Sequence, residues 1–350
     1  MIDTHTDMHA VARAGGNRGS IYILCPAGRT TGGTEALHQL RYYLESIGKD
    51  AYLSYYDEDE RFVDCEPPER YAEYLPTEGK IVNGNAIADD PENSVVAPEF
   101  STGMLAAYRN ARRIVWWLSV HYYDGGPLMS RLAVRHWLKR SLSNPTDLFR
   151  FRKYHHPLRP DAAEHLCASQ YAYEYVTESL RMPARRLVEP ISKPFLEIGM
   201  ERERSPRRKD MVAYNPAKPS KVMRELLARN EFDYVPITGM TPEQIVGVLR
   251  EVKLYVDFGE FPGPERIPKE AAYNGAAVLV IRRNAACNPF DVNIPERYKL
   301  PVDTSLDEIS RTIRVMLDDY AAIYPDYDVF RTQIDGLERR FVETLREVWG

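Results

Sequence analysis

The residues best spaced for chemistry lie in the stretch 254–281, LYVDFGEFPGPERIPKEAAYNGAAVLVI. Arg266 and Glu270 stand four apart, so on a helix they share one face. Such a pair is either an exposed ion pair of small worth or a cation and a carboxylate aimed at a ligand. Gly259, Pro262, Gly263 and Pro264 precede them, with Glu265 between. Two glycines and two prolines in a tight turn suggest close backbone approach to something. A second candidate is the glycine turn at Gly28, Gly32 and Gly33, in GRTTGGTEALHQL. A turn feeding a helix N-terminus is a ready anion site, because free N–H groups point outward. A tight turn without a ligand explains it equally well. It is neither G-x-G-x-x-G nor a P-loop. His121 closes an apolar run just before Gly125-Gly126, a place that suits a cleft, although a lone His is more often structural. Lys218 and Lys221 follow an Asn215-Pro216 turn. The basic, aromatic stretch 147–160 reads as a solvated loop or as an anion-attracting rim.

The elements that must hold these residues follow from the pattern. Within 254–281, a short apolar strand (254–258) turns at the glycines into a short helix. Pro268 stands near the helix start, and Asn274-Gly275 stops it. A second strand follows at 276–281. Strand, helix, strand is one crossover of a parallel sheet, and ligands of such sheets bind beyond the carboxyl ends of the strands. The first strand is expected at 20–27, with a helix over 34–47 capped by Thr34. Further strands are expected at 50–56, 94–98, 113–120 and 187–190, and a helix at 128–141. Residues 57–93 are charged and poorly periodic, an excursion that would face an acceptor. After 211 the alternation restarts, with a helix at 241–252 capped by Thr241. Amphipathic helices are expected over 305–324 and 329–348.

A chain of 350 residues suits two domains. The expected division is a loose tail over 1–19, a first domain over 20–200 and a charged linker, ERERSPRRKD, over 201–210. A second domain follows over 211–325, and a helix over 326–350 could pack back on the first. The net charge of −5 argues against a nucleic-acid binder. No apolar run approaches the roughly 20 residues that span a bilayer, and the N-terminal stretch lacks the apolar region of a signal peptide. A cytoplasmic protein with no transmembrane segment, open to peripheral membrane contact, is expected. Its four cysteines are scattered, as reduced thiols would be. The 23 tyrosines suit sugar stacking or a large core.

Both halves resemble the GT-B glycosyltransferases, α/β proteins with two Rossmann-like domains facing across a cleft. CPAGRTTGGTEALHQL is similar to the first strand and Gly-Gly turn of the group that holds its donor mainly on the second domain. The stretch 254–281 is similar to that group's donor-site crossover. Four segments also resemble bacterial polysaccharide-cluster proteins: TGG-x-EALHQL, WWLSV, YNP-x-K and DFG…PG…R-x-P-x-EA. The resemblance covers about residues 21–300. It implies a sugar transferase with a nucleotide-sugar donor and a glycan, lipid-linked or small-molecule acceptor, acting with retention. Glu270 would hold the ribose. Lys218, Lys221, Arg266 and the Gly32 and Gly33 amides would meet phosphate charge, and Gly263 would lie against the donor. His121 and Glu265 are the candidate catalytic residues. The group often carries an E-x7-E pattern, and its first position here is Pro262. No D-x-D pair sits at a fitting strand end, so no essential metal or other cofactor is expected. A non-catalytic glycan- or nucleotide-binding protein, a nucleotide-sugar epimerase and a phosphorylase are the alternatives on this scaffold.

Overall fold

The computed structural model describes residues 19–74, 79–124, 160–199, 208–218 and 220–350. The expected helix at 128–141, the basic stretch up to residue 159 and most of the expected linker lie outside the described residues.

Two parallel sheets form, each between layers of helices. The first holds β1 (Ile21–Pro26), β2 (Ala51–Tyr56), β3 (Ser94–Pro98), β4 (Arg112–Trp117), β5 (Glu164–Cys167) and β6 (Arg185–Arg186), in the order β2-β1-β3-β4-β5-β6. The second holds β7 (Lys209–Tyr214), β8 (Asp233–Pro236), β9 (Val252–Asp257), β10 (Ala277–Ile281) and β11 (Lys299–Leu300), in the order β11-β10-β9-β7-β8. Central strands such as β3 and β10 are buried along their whole length. This is why they read as continuous apolar runs rather than alternations. In each sheet the strand order reverses beside the first strand, between β1 and β3 and between β7 and β9. Such switch points open a crevice at the carboxyl ends. The glycine turn and Glu99 follow β1 and β3, while Lys218 and the 259–265 loop follow β7 and β9.

The helix after β1 is Gly32–Ser46, two residues earlier than the expected start. Its cap is Thr31, not Thr34. The two threonines form a reciprocal box: the Thr34 amide donates to Thr31 Oγ1 at 3.3 Å, and the Thr31 amide donates to Thr34 Oγ1 at 3.0 Å. Gly32 and Gly33 therefore open the helix rather than precede it. Behind the turn, Tyr71 Oη lies 2.7 Å from Thr34 Oγ1 and donates to the Thr31 carbonyl at 2.9 Å. His38 bonds the Thr34 carbonyl through Nδ1 at 2.7 Å and Tyr55 Oη through Nε2 at 2.8 Å. Burial pushes His38 down to about 4, so its ring is neutral, with the proton on Nδ1.

Several expected bounds shift for visible reasons. The strand expected at 113–120 stops at Trp117, and Val120–Asp124 turns helical. The strand expected at 187–190 is instead Arg185–Arg186, because the Trp116 indole takes the Leu187 carbonyl at 3.1 Å and ends the ladder. The chain crosses between domains near residue 190 rather than 200: Leu187 packs in the first core, Ile191 and Phe195 in the second. Residues 208–210 belong to the second domain, where Arg208 donates to the carbonyls of Leu249, Val252 and Asn274. The helix expected over 305–324 ends at Asp318. The last helix splits at Gly336 into Asp328–Asp335 and Leu337–Trp349. Phe330 and Ile334 complete the second core, whereas Phe341, Leu345 and Trp349 complete the first. The chain thus returns to the first domain after Leu337, which still packs in the second core. Among the described residues no helix is long and apolar enough to cross a membrane.

Candidate functional site

The loops at the carboxyl ends of the two sheets meet. The Val120 amide, just past β4, donates to the Pro262 carbonyl at 3.0 Å. A Cβ added to Gly263 would stand 2.1 Å from the Leu118 carbonyl oxygen. Gly263 is thus required by backbone approach, and what approaches it here is the first domain's own chain. The side chain of Arg266 lies on Gly32, where an added Cβ would meet its Cδ at 3.0 Å. Gly33 has more room, with Leu118 Cδ1 3.6 Å from an added Cβ.

Arg266 opens the helix Arg266–Tyr273 and reaches across the cleft. Its Nη1 is 3.1 Å from Glu35 Oε2 and donates to the Gly32 carbonyl at 3.4 Å. Its Nη2 donates to the Pro190 carbonyl and to Ser192 Oγ, each at 3.2 Å. Its Nε is 3.9 Å from Glu270 Oε1. Ser192 Oγ in turn donates to Glu35. One guanidinium therefore ties the glycine turn, the first helix and the interdomain crossing to the second domain. Burial alone would lower its pKa, but the carboxylates of Glu35, Glu270 and Glu189 raise it, so it stays charged. Glu270 is 5 % exposed. Burial pushes it up to about 7, with Arg266 opposing and Glu35 adding to the rise. Glu189, also buried, is raised by the same cause against the pull of Lys269 and Arg266.

A second ionic group stands at the β7/β9 switch point. Lys218 Nζ is 2.9 Å from Asp257 Oδ2 and 2.6 Å from Glu265 Oε2, and lies 4.5 Å from the centre of the Phe261 ring. Burial disfavours the lysine's charge, but Glu265 and Asp257 outweigh it and hold Lys218 protonated. Burial raises Glu265, with Lys218 opposing. Tyr255 Oη and the Gly259 amide complete the shell of Asp257.

The structure thus brings Gly32, Gly33, Gly263, Arg266 and Glu270 to one interdomain contact, with Lys218 and Glu265 on the same edge of the second sheet. Lys221 does not join them. It opens the helix Lys221–Arg229, is 80 % exposed and pairs with Glu225 at 3.6 Å. His121 sits on the short helix Val120–Asp124 rather than on a strand-end loop, edge-on to Tyr171 with ring centres 6.3 Å apart. The sequence reading missed Glu35, Glu189, Ser192 and Asp257. Asp257 carried a usable signal, since an acid closing an apolar strand before Gly259 sits at a ligand edge. The others reach the site only through tertiary packing. Among the described residues no three His, Cys, Asp or Glu side chains converge as metal ligands.

No family model matches the chain, and no curated protein matches it by sequence. Solved structures do match it. Sucrose-phosphate synthase of Thermosynechococcus elongatus superposes with a TM-score of 0.60 at 10% identity, covering 95% of this chain and 98% of that one. The chain has the GT-B fold. A glycosyltransferase of Rickettsia africae gives 0.58 at 11% identity, over 95% of this chain and 98% of that one. HepE of Anabaena, solved with UDP-glucose, gives 0.56 at 12% identity, over 94% and 99%. At such identities the likeness shows the GT-B fold alone.

Glu270 gives this GT-B cleft a testable pH dependence. Its folded pKa of about 7 lies above the ordinary glutamate value. Between the two, the folded chain keeps a proton that the unfolded chain releases. The stability this represents is fully present below the unfolded pKa and lost as pH rises through 7. Glu270→Gln cannot ionise, so it should be more stable than the parent by about 3 kcal/mol at pH 8 and equal to it near pH 4. Urea unfolding at both pH values checks this. A variant less stable than the parent at pH 8 would mean that Glu270 and Arg266 form a net favourable ion pair.

Proposed function

We propose that the chain is a glycosyltransferase that moves a sugar from a nucleotide-activated donor to a glycan, lipid-linked or small-molecule acceptor, with retention and without an essential metal. The observation that carries this reading is the meeting of two switch-point loops across a GT-B cleft. The cations Lys218 and Arg266 and the buried Glu270 stand on the second domain's side. Sugar transfer leaves negative charge on a nucleotide phosphate, and preorganised cations stabilise it. Lys218 and Arg266 have that role. At present Glu265 and Glu35 are their partners, so donor phosphates would replace carboxylates. Glu270 accepts hydrogen bonds from the ribose hydroxyls. The N–H groups that a helix leaves unpaired in its first turn belong here to Gly32 and Gly33. His121 contacts the donor sugar or manages a proton, and Glu265, released from Lys218, faces the transferred group. The complex of the similar HepE with UDP-glucose supports a nucleotide sugar as the donor class.

The test is a thermal-shift and turnover screen with labelled nucleotide sugars, with and without EDTA. Binding at a hundredfold excess over Kd should stabilise the fold by roughly 2.7 kcal/mol. Transfer or hydrolysis of the bound donor should survive the chelator. A screen in which no nucleotide or nucleotide sugar stabilises the chain or turns over would overturn the reading.

A further inference from the structure

Two neighbouring buried side chains of the first domain each keep one polar atom without a hydrogen-bond partner among the described residues. Glu99 follows β3 and is 0 % exposed. Its Oε2 accepts the Leu118 amide at 2.8 Å, while its Oε1 has no partner. Ser119, the residue after Leu118, is 6 % exposed, and its Oγ also lacks a partner. Burial pushes Glu99 up to about 8, against the pull of the Leu118 and Ser119 amides, so at neutral pH it is an uncharged acid with a proton to donate. A buried polar atom that makes no hydrogen bond loses its hydration without compensation. Two such atoms, on residues joined through the Leu118 amide, call for an explanation.

A loop of the other domain lies against the turn that carries Ser119. Gly263 lies against the Leu118–Ser119 backbone, with an added Cβ 3.5 Å from Ser119 Cα, and the Val120 amide is bonded to Pro262. Both residues follow strands at the carboxyl edge of the first sheet, and the turn that carries Ser119 lies under a loop that relative domain motion would lift. A neutral acid and a hydroxyl together offer one group that donates and others that accept. A hydroxyl of a ligand, which does both, satisfies them. Among the described residues no cation bonds this pair, so a phosphate would bring uncompensated charge to a desolvated site, and an alkyl group would leave both atoms unmet.

We propose that Glu99 and Ser119 form a first-domain subsite for a sugar hydroxyl, entered while the 259–265 loop is lifted from the 118–120 turn and closed over again for transfer. The inference rests on the glycosyl-transfer reading. The hydroxyl belongs to the donor sugar or to the acceptor, and both arms are measured on the full chain. Calorimetry with UDP, UDP-glucose, UDP-N-acetylglucosamine, GDP and GDP-mannose first finds the donor. Ser119→Ala and Glu99→Leu are then compared with the parent. If the hydroxyl is the donor's, both variants lose about five- to tenfold in affinity for the sugar nucleotide, the size of one hydrogen bond, and nothing for the bare nucleotide. If it is the acceptor's, the KM for glucose or maltose as acceptor rises by a similar factor while the donor Kd stays fixed. Glu99→Gln, which still donates and accepts, should fall between parent and Glu99→Leu in whichever arm responds. Parent-like constants in both arms overturn the subsite and leave the transferase reading standing. Equal losses for nucleotide and sugar nucleotide also overturn it. Should Glu99→Leu fail to fold, Ser119→Ala decides alone. A parent chain that binds no sugar nucleotide overturns the transferase reading, and this inference with it.

Discussion

Arg266→Met is expected to destabilise the protein by about 3–5 kcal/mol at pH 7, the cost of removing one partner of a buried ionic group. The side chain is 10 % exposed and faces Glu35 at 3.1 Å, with Glu270 and the carbonyls of Gly32 and Pro190 around it. Methionine fills much of the volume but satisfies none of those oxygens. Glu270 would then have to take up a proton, or water would be drawn into the contact. The same loss should loosen the domains, because four of the groups that Arg266 bonds lie on the first domain or the crossing. Equilibrium urea unfolding gives the first quantity, and the radius of gyration in solution gives the second. Combining Arg266→Met with Glu35→Gln should recover part of the loss, since one of the two carboxylates left without the arginine is then removed. A destabilisation under 1 kcal/mol would make the pair a surface-like ion pair and would remove Arg266 as the link between domains.

Much of the architecture was legible from periodicity alone. The capped helix at Thr241 and Pro242, the 254–281 crossover and the restart of alternation after the first domain all follow from local pattern, because parallel strands buried on both faces are continuous apolar runs. The misplaced features each turned on a competition that local sequence does not decide. Thr31 and Thr34 can both cap, and Tyr71, some forty residues away, bonds both and fixes the arrangement. The strand expected at 187–190 loses its carbonyl to Trp116. Gly336 stops a helix because the halves on either side pack on different domains. At the site the spacing of Arg266 and Glu270 was visible, but not that the arginine's nearest carboxylate is Glu35, more than two hundred residues earlier. Glu99 carries no signal at all in PEFS. Its interest lies in what fails to reach it, which only the packed structure reveals.

Gly263→Val should depress turnover by about 100-fold, the scale of a reacting group misplaced by about 1 Å, while nucleotide binding stays close to parental. The sequence pointed to close backbone approach at this glycine, and the structure identifies the approaching atom. The Leu118 carbonyl oxygen would lie 2.1 Å from an added Cβ, a separation no real side chain tolerates. The obstacle is backbone, which cannot rotate away as the end of a side chain can. The clash therefore separates the loop from the 118–120 turn and breaks the Val120–Pro262 hydrogen bond. Each domain keeps its own core, since the contact is made between backbones of the two domains rather than within the hydrophobic clusters of either. Lys218 and Glu270, both on the second domain, keep their places, so calorimetry with the nucleotide should change little. Turnover needs groups from both sides in register, so it should fall. Gly33→Ala is the matched control. Its added Cβ would meet only Leu118 Cδ1 at 3.6 Å, an ordinary contact, and alanine favours the first turn of a helix. That variant should fold at least as well as the parent and keep its domains together. Should Gly263→Val turn over at the parental rate, the closed contact is not the catalytic arrangement, and the reacting groups meet in a more open cleft. Should it lose nucleotide affinity as steeply as turnover, the nucleotide spans both domains rather than resting on the second.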